Sequence, residues 1–568
     1  MPTLLAYNAP PSATLLNQCV AVAAWGAWVL VLAPARWPRG AGSLLAVLGV
    51  LGVSALSAWW LGALPRSLSL AAAGLIAAAA LLVGTGADAA RRHEGPALFE
   101  AFCVGLLGAG LASTVVAWVQ VFMPGWADGS LIATSGLPGR AVGNLRQPNH
   151  LCSLLLWAMV AAVALHELGR LPRRALAAVV ALLVVGVELT ASRTGAVGLG
   201  VLMLWGLLDR RLSRTARWTL AATPLLYALA YGAMAWYGEL AHQALGAEAR
   251  IDAGGLGDGG SRNGRSNIWR NALALIQAQP WLGVGFGEFN FAWTLTPFPG
   301  RPTAFFDHTH NLMLQLAVEL GLPRAGLVLA LLAWALWQGG RRAMAAPSAA
   351  GSAGRAALVL VLLAGLHSLV EYPLWYAYFL LPAAFAWGFV LGLPDPAAGL
   401  QPSRAAEPLP RGPGLAVGLA LGLAMMLGGA LALLDYRSVV VIYAPPPGST
   451  PLAERIERGQ RSLLFAHHAD YAASTNEVPA AARALGLARG THSLLDTRLM
   501  IAWAQHLHAQ GQETLAQGVA ARLREFDNPE ADDFFAPCEG GKTTGFPCQP
   551  PASTPGWRDY LPAATAGR

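Results

Sequence analysis

Charge is what this sequence has least of. Asp, Glu, Lys and Arg make up only 12% of its 568 residues, where soluble domains carry about 25%. A chain so poor in charge cannot dress a water-exposed surface of ordinary size, which excludes a large soluble enzyme. Cysteine is also scarce. There are five, with no CxxC and no His/Cys cluster, which argues against a metal site. The first residues lack a basic n-region and a small-residue cleavage site, so no cleavable signal peptide is expected. What is abundant is apolar sequence, at 55%. It comes in runs, many of about 17–25 residues, the length a helix needs to cross a bilayer. Twelve such segments are read near 15–33, 43–64, 68–86, 98–122, 149–168, 174–190, 194–208, 217–237, 311–337, 355–371, 373–393 and 413–434.

The net charge is +7, and its arrangement orients the chain. Arg36 and Arg39, Arg91 and Arg92, Arg170 with Arg173 and Arg174, Arg210 to Arg217, Arg341 with Arg342 and Arg355, and Arg404 with Arg411 fall in alternate loops. Lys and Arg collect in cytoplasmic loops, so these six face inward. For a bacterial inner membrane, the N-terminus, the loop after the fourth span, a long loop at 238–310 and the tail from 436 then face the periplasm. The basic balance is thus explained by topology, and no nucleic-acid partner is expected. Three parts follow: a membrane body over 1–435, the periplasmic insertion 238–310 within it, and a periplasmic domain over 436–568. The stretch 394–412, with five prolines, is a linker.

Cys19, Cys103 and Cys152 lie in or beside spans and read as small packing residues. Cys538 and Cys548 lie ten apart in a polar, Gly-rich stretch of the tail, where an oxidising compartment favours a disulfide. Further up the tail, Leu499, Ala502, Trp503 and Leu507 precede Gly511, and Leu515, Val519 and Leu523 follow it, all at helical spacing. Two helices joined this way resemble one unit of a tetratricopeptide-like array. A small helical domain without repeats is the alternative.

Polar residues at span ends are expensive, and here they gather on the periplasmic side. Gly143-Asn144-Leu145-Arg146-Gln147-Pro148-Asn149-His150 opens the fifth span, where Asn149 could equally be a plain helix cap. Ser192-Arg193-Thr194-Gly195 forms a very short turn, and an arginine there runs against the charge bias. A planar guanidinium suits phosphate oxygens. Arg262 and Arg265 follow a glycine-rich run in the long loop. Asp307-His308-Thr309-His310-Asn311 leads into Gln315 and Glu319. A histidine, with an ordinary pKa near 6.5, can take a proton from a hydroxyl. Glu371-Tyr372-Pro373-Leu374-Trp375-Tyr376 lies between the tenth and eleventh spans. Two arginine groups and a histidine pair on one side imply a site for a diphosphate-linked lipid and an acceptor hydroxyl. No DxD or DxN pair stands out in these loops, so arginines would take the place of a metal ion.

These stretches resemble a known family. His308, His310, Asn311, Leu314, Gln315, Glu319 and Gly321, with the SRTG turn and the long loop before them, are similar to the O-antigen ligase superfamily. GNLRQPNH and EYPLWY, together with a periplasmic tail, are similar to its PglL-type protein O-oligosaccharyltransferase branch. The resemblance implies an all-α fold of about twelve transmembrane helices, with the long periplasmic loop and the small helical tail. It implies a multi-pass inner-membrane enzyme with its active site toward the periplasm. The donor would be an oligosaccharide on undecaprenyl diphosphate, and the acceptor a Ser or Thr of a pilin-like or other periplasmic protein. Transfer would be inverting and independent of metal or other cofactors. Carried over by motif, His310 is the base and Arg193 and Arg265 hold the diphosphate. Gln147 and Asn149 shape the site, beside Tyr372 or Tyr376. Arg146, His150, Asn311, Gln315 and Glu319 line it, Arg262 competes with Arg265, and His308 is a second candidate base. An O-antigen ligase acting on lipid A-core shares the donor and differs in acceptor. A Wzy-like polymerase is a weaker fit, and so is a transporter, because the polar clusters lie in loops and at span ends and not at mid-membrane.

Overall fold

The computed structural model describes residues 2–34, 39–252, 264–396, 413–541 and 545–561. Among the described residues all regular structure is helical, with no strand. In chain order the helices are α1 (Leu15–Leu32), α2 (Gly42–Trp60), α3 (Arg66–Arg91), α4 (Gly95–Phe122), α5 (Pro148–Glu167), α6 (Arg173–Thr190), α7 (Arg193–Leu208), α8 (Arg214–Ala221), α9 (Thr223–Ala241) and α10 (Gly246–Asp252). There follow α11 (Arg265–Ala278), α12 (Phe289–Leu295), α13 (Leu312–Ala345), α14 (Ser348–Ser368), α15 (Ala377–Gly392) and α16 (Pro413–Tyr443). The last six are α17 (Leu452–Gly459), α18 (Ala466–Thr475), α19 (Ala480–Gly490), α20 (Thr497–Ala509), α21 (Glu513–Glu525) and α22 (Asp532–Phe535).

Eight of these, α1 to α5, α13, α14 and α16, are long and apolar enough to cross a bilayer. The protein is therefore an all-helical polytopic membrane protein. The other four apolar segments of the sequence are weaker on simple grounds. α7 and α15 have 16 residues each, and α6 carries Arg173, Arg174 and Glu188. The segment near 217–237 is not one helix. It breaks between α8 and α9, where Pro224 has no N–H to give and the Thr223 hydroxyl takes the Leu220 carbonyl instead, at 2.8 Å. α16 also outruns its expected end at 434 and reaches Tyr443: the polar Asp435-Tyr436-Arg437-Ser438 does not stop the helix, and Val439 to Ile442 resume the apolar run.

Two compact units divide the chain. The first comprises 1–48, 77–256 and 331–431, and the second 49–76, 257–330 and 432–568. In the first unit the helices pack through small residues. A Cβ at Gly388 would strike the Val83 carbonyl, and one at Gly86 the Phe385 carbonyl, so α3 and α15 touch backbone to backbone. Arginines join one set of helix ends. Arg92 donates to the Ala33 carbonyl at 3.2 Å, Arg91 to Gly392 at 3.2 Å, and Arg355 pairs with Asp209 at 2.7 Å. The other ends meet through both charged and neutral groups, with Arg146 donating to the Ala6 carbonyl at 2.7 Å and Arg140 to the Thr190 carbonyl at 3.1 Å. Asn144 donates to the Leu4 carbonyl at 2.7 Å, and α5, the α6–α7 turn and the α14–α15 turn share a hydrogen-bond cluster. Cys19, Cys103 and Cys152 are buried and reduced, as small packing residues should be.

The second unit has its own core. Ile268 and Leu275 of α11, Phe289 and Trp293 of α12, and Val318 of α13 pack in one cluster with Leu499, Trp503, Val519, Leu523 and Phe526 of the tail. The helical pair around Gly511 is α20 and α21, with Leu499, Trp503, Leu507, Val519 and Leu523 buried between them. Gly511 has φ +73, a turn that a side chain would resist. Cys538 and Cys548 form a disulfide.

Candidate functional site

The sequence candidates fall into two clusters, one in each unit. In the first unit Pro148 stands at the first position of α5, where its missing N–H is no loss. Gln147, and not Asn149, is the cap. Its side chain accepts from His150 N at 2.8 Å. This releases Asn149 for a different task. Its amide donates to Glu371 at 3.2 Å and its carbonyl accepts from the Ser192 hydroxyl at 2.7 Å. Ser192 in turn caps α7, accepting from Gly195 N at 3.2 Å. One asparagine thus ties together the GNLRQPNH, SRTG and EYPLWY stretches. Ser192 and Glu371 are buried, while Arg193, the next residue after Ser192, is exposed. The turn therefore fixes the backbone and presents the guanidinium.

His150 is buried beside aromatic rings. Its Nδ1 lies 3.3 Å from the Tyr378 hydroxyl, and the Tyr376 ring stands 4.6 Å away, edge-on. The Tyr372 ring stands 5.8 Å from that of Tyr376, so both tyrosines of the EYPLWY stretch belong to this cluster. Arg146 adopts φ +57 and donates to the Ala6 carbonyl at 2.7 Å, which binds the N-terminal segment to the mouth of α5.

The second cluster is the histidine loop. His308 Nδ1 meets the Asp307 carboxylate, and its Nε2 lies 3.1 Å from His310 Nδ1. If His308 donates to Asp307 through Nδ1, its Nε2 accepts from His310 Nδ1–H. The lone pair of His310 is then on Nε2. That is the logic of a base oriented by a carboxylate at one remove. His310 is held at φ +55, a conformation costing of order 1–3 kcal/mol for a residue other than glycine. Bonds on either side enforce it. Thr309 N donates to Gln315 Oε1 at 2.8 Å, and Trp269 of α11 donates to the Thr309 carbonyl at 3.0 Å. Asn311 caps α13 by accepting from Met313 N and Leu314 N, at 3.0 and 3.1 Å. Gln315 in turn donates to the Glu319 carboxylate at 2.9 Å. Asn311, Gln315 and Glu319 are thus engaged in bracing this loop.

Arg265 is the first residue of α11, half-buried. It stands one turn before Trp269 on the same helix face, and Trp269 is bonded to the histidine loop. Arg262 and the glycine-rich run before it lie outside the described residues. Three polar residues joined to these clusters were quoted in the motifs but given no role: Ser192, Asp307 and Glu371. Each adjoins a candidate in sequence, but only the fold shows which of them engage it.

Three family models match the chain. Residues 141–166 match a protein glycosylation ligase, residues 177–328 an O-antigen ligase, and residues 355–533 the C-terminal part of a virulence-factor membrane-bound polymerase. The first covers Gln147 and Asn149, the second Arg193, Arg265 and both histidines, and the third the Tyr372–Tyr376 turn and most of the tail. Among curated proteins, a general O-oligosaccharyltransferase of Acinetobacter baylyi is 27% identical over 258 residues, which is 44% of each chain. A ComP-specific O-oligosaccharyltransferase of the same organism is 24% identical over 268 residues, 45% of each. The match thus spans less than half the length of these relatives. The chain is similar to the O-antigen ligase superfamily and, within it, to the PglL-type protein O-oligosaccharyltransferases.

Proposed function

We propose that this chain is an oligosaccharyltransferase that moves a glycan en bloc from undecaprenyl diphosphate to a serine or threonine of a periplasmic protein. The observation that carries the reading is the Asp307–His308–His310 relay, held on a strained backbone within the O-antigen ligase match. A protein hydroxyl is a weak nucleophile near neutral pH, and such a relay supplies a base. The acceptor oxygen attacks the anomeric carbon from the face opposite the diphosphate. The new C–O bond forms as the bond to the diphosphate oxygen breaks, and the hydroxyl proton passes to His310. Arg193 and Arg265 hold the diphosphate and stabilise its growing charge. Gln147, Asn149 and His150 shape the site beside Tyr372 or Tyr376. An O-antigen ligase acting on lipid A-core is the second reading, favoured by the match over residues 177–328.

The test is transfer from a purified lipid-linked donor to a purified pilin-like acceptor, read by the mass of acceptor peptides. Glycan on Ser or Thr is expected, and EDTA is expected to leave the rate nearly unchanged. Glycan found on lipid A-core and never on protein would select the second reading. Loss of activity in EDTA, restored by Mg²⁺ or Mn²⁺, would overturn the metal-independent mechanism.

The reading also places the active face in the periplasm, with twelve spans. The alternation of six arginine-rich loops along the sequence supports this. Alkaline phosphatase fused after residue 237 or at the C-terminus is expected to be active, and a fusion near 342 inactive. An inactive C-terminal fusion that is made and stable would reverse the orientation.

A further inference from the structure

α13 is broken nine residues in. Gly321 sits at φ 76 and ψ 160, and Pro323 follows, so the helical hydrogen bonds lapse there. The loop between α11 and α12 fills the gap. Val284 N donates to the Val318 carbonyl at 2.8 Å and Gly285 N to the Glu319 carbonyl at 3.1 Å. In return Leu322 N donates to the Pro280 carbonyl at 2.7 Å, and Arg324 Nη2 to the Leu282 carbonyl at 2.8 Å. The fit is backbone to backbone. A Cβ on Gly321 would strike the Trp281 carbonyl, and one on Gly283 would strike Glu319. Pro280 to Gly285 is therefore fixed at the level of the break.

That level can be placed. From Leu322 to Gly340, the last residue before Arg341 and Arg342, the helix runs about 19 residues, or roughly 28 Å at 1.5 Å each, close to the ~30 Å hydrocarbon core of a bilayer. With Arg341 and Arg342 at one boundary, that length sets the break at the other. At this level Trp281 is 75% exposed and Leu282 61%, beside Leu322 at 52%. In a loop facing water, a bare Trp-Leu pair would be costly, whereas at a lipid boundary it matches the usual aromatic anchor.

We propose that the Trp281–Leu282 turn is inserted into the outer leaflet and that lipid is its occupant. Continuity with the lipid-facing side of α13 identifies lipid as the occupant: Leu327 is exposed on the same helix just past the break. The anchor would fix the height of α11, which ends at Ala278 and begins at Arg265. The inference rests on the membrane topology alone and is independent of the transfer reaction.

Single cysteines at Leu282, Leu327 and Gln512 in the full chain, each labelled with bimane, test it in phosphatidylethanolamine–phosphatidylglycerol vesicles with or without brominated acyl chains. The label at Leu282 is expected to be quenched by bromolipid as strongly as that at Leu327, and several-fold more than that at Gln512. Aqueous iodide should quench Gln512 alone. Quenching at Leu282 by iodide and not by bromolipid overturns the proposal, because water then covers the turn. Quenching by neither also overturns it, because protein then covers it. Trp281→Cys gives the same readout should Leu282→Cys fail to fold.

Discussion

Replacing His310 with alanine is expected to slow glycan transfer by roughly 10²–10⁴-fold, the range for loss of a positioned general base. Binding of the lipid-linked donor should survive, since an uncharged acceptor hydroxyl and not the diphosphate needs this group. The relay sharpens the comparison with His308. With His308 between Asp307 and His310, its removal loosens the orientation of His310 but leaves the lone pair in place. His308→Ala is therefore expected to slow transfer by a smaller factor than His310→Ala. Single-turnover transfer and donor binding, measured on both variants, separate the roles. Normal transfer by His310→Ala would remove it as base. Failure of His308→Ala alone would move the base to His308. His150, buried against Tyr376 and Tyr378, is then the remaining histidine to test.

Arg301→Ala is expected to destabilise the second unit by about 3–5 kcal/mol, the usual cost of removing one partner of a buried ion pair. Arg301 is 1% exposed, and its Nε lies 2.9 Å from the Glu525 carboxylate of the tail. Its guanidinium also stands over Trp293, Phe298 and Phe526, at 5.0, 5.6 and 4.5 Å from the ring centres. Burial pulls its pKa down to about 10 in spite of Glu525, and burial raises that of Glu525 as well. Desolvation outweighs the attraction, so the pair adds specificity more than stability. Removing both charges should then recover much of the loss. Arg301→Met with Glu525→Gln is expected to melt well above Arg301→Ala. Thermal unfolding in detergent, followed by tryptophan fluorescence, reads the difference. Equal melting of Arg301→Ala and the unmodified chain would sink the idea.

The loss should reach transfer too. Phe526 stacks on Phe305 at 4.0 Å, and Phe306 stands edge-on to His310 at 5.6 Å. Asn290 links the same segments, donating to the Phe306 carbonyl at 2.9 Å and accepting from Leu495 N of the tail at 2.8 Å. A buried Glu288–His492 pair at 2.8 Å adds a third tie. The tail thus shares one core with the loop that carries His310.

Much of this was legible in the residues. Apolar runs of bilayer length marked the helices, because in lipid a spanning backbone must satisfy itself within one segment. Gly511 marked the turn between α20 and α21, whereas Pro148, which reads as a helix breaker, is the first residue of α5. Cys538 and Cys548 were readable as a pair from spacing and compartment. The boundaries were less so. The stop at Ala222 needed Thr223 and Pro224 together, and the α16 extension ran through Asp435 to Ser438, a polar stretch that reads as a span end but holds no glycine or proline to stop a helix.

By itself the sequence determined which segments become helices and which side chains crowd their ends. Those properties depend on residues within a turn or two of one another. Only the tertiary structure decided that Gln147 caps α5 and leaves Asn149 to bridge Ser192 and Glu371. It also decided that Tyr376 packs on His150, that Gly321 breaks α13 to receive the Pro280–Gly285 turn, and that Phe526 supports the histidine loop. Apart from the Gln147 cap, which reaches only as far as His150, each of these joins residues from separate segments, several of them more than two hundred positions apart. Hydrogen-bond geometry and ring packing select the partner, and neither leaves a periodic mark in the chain.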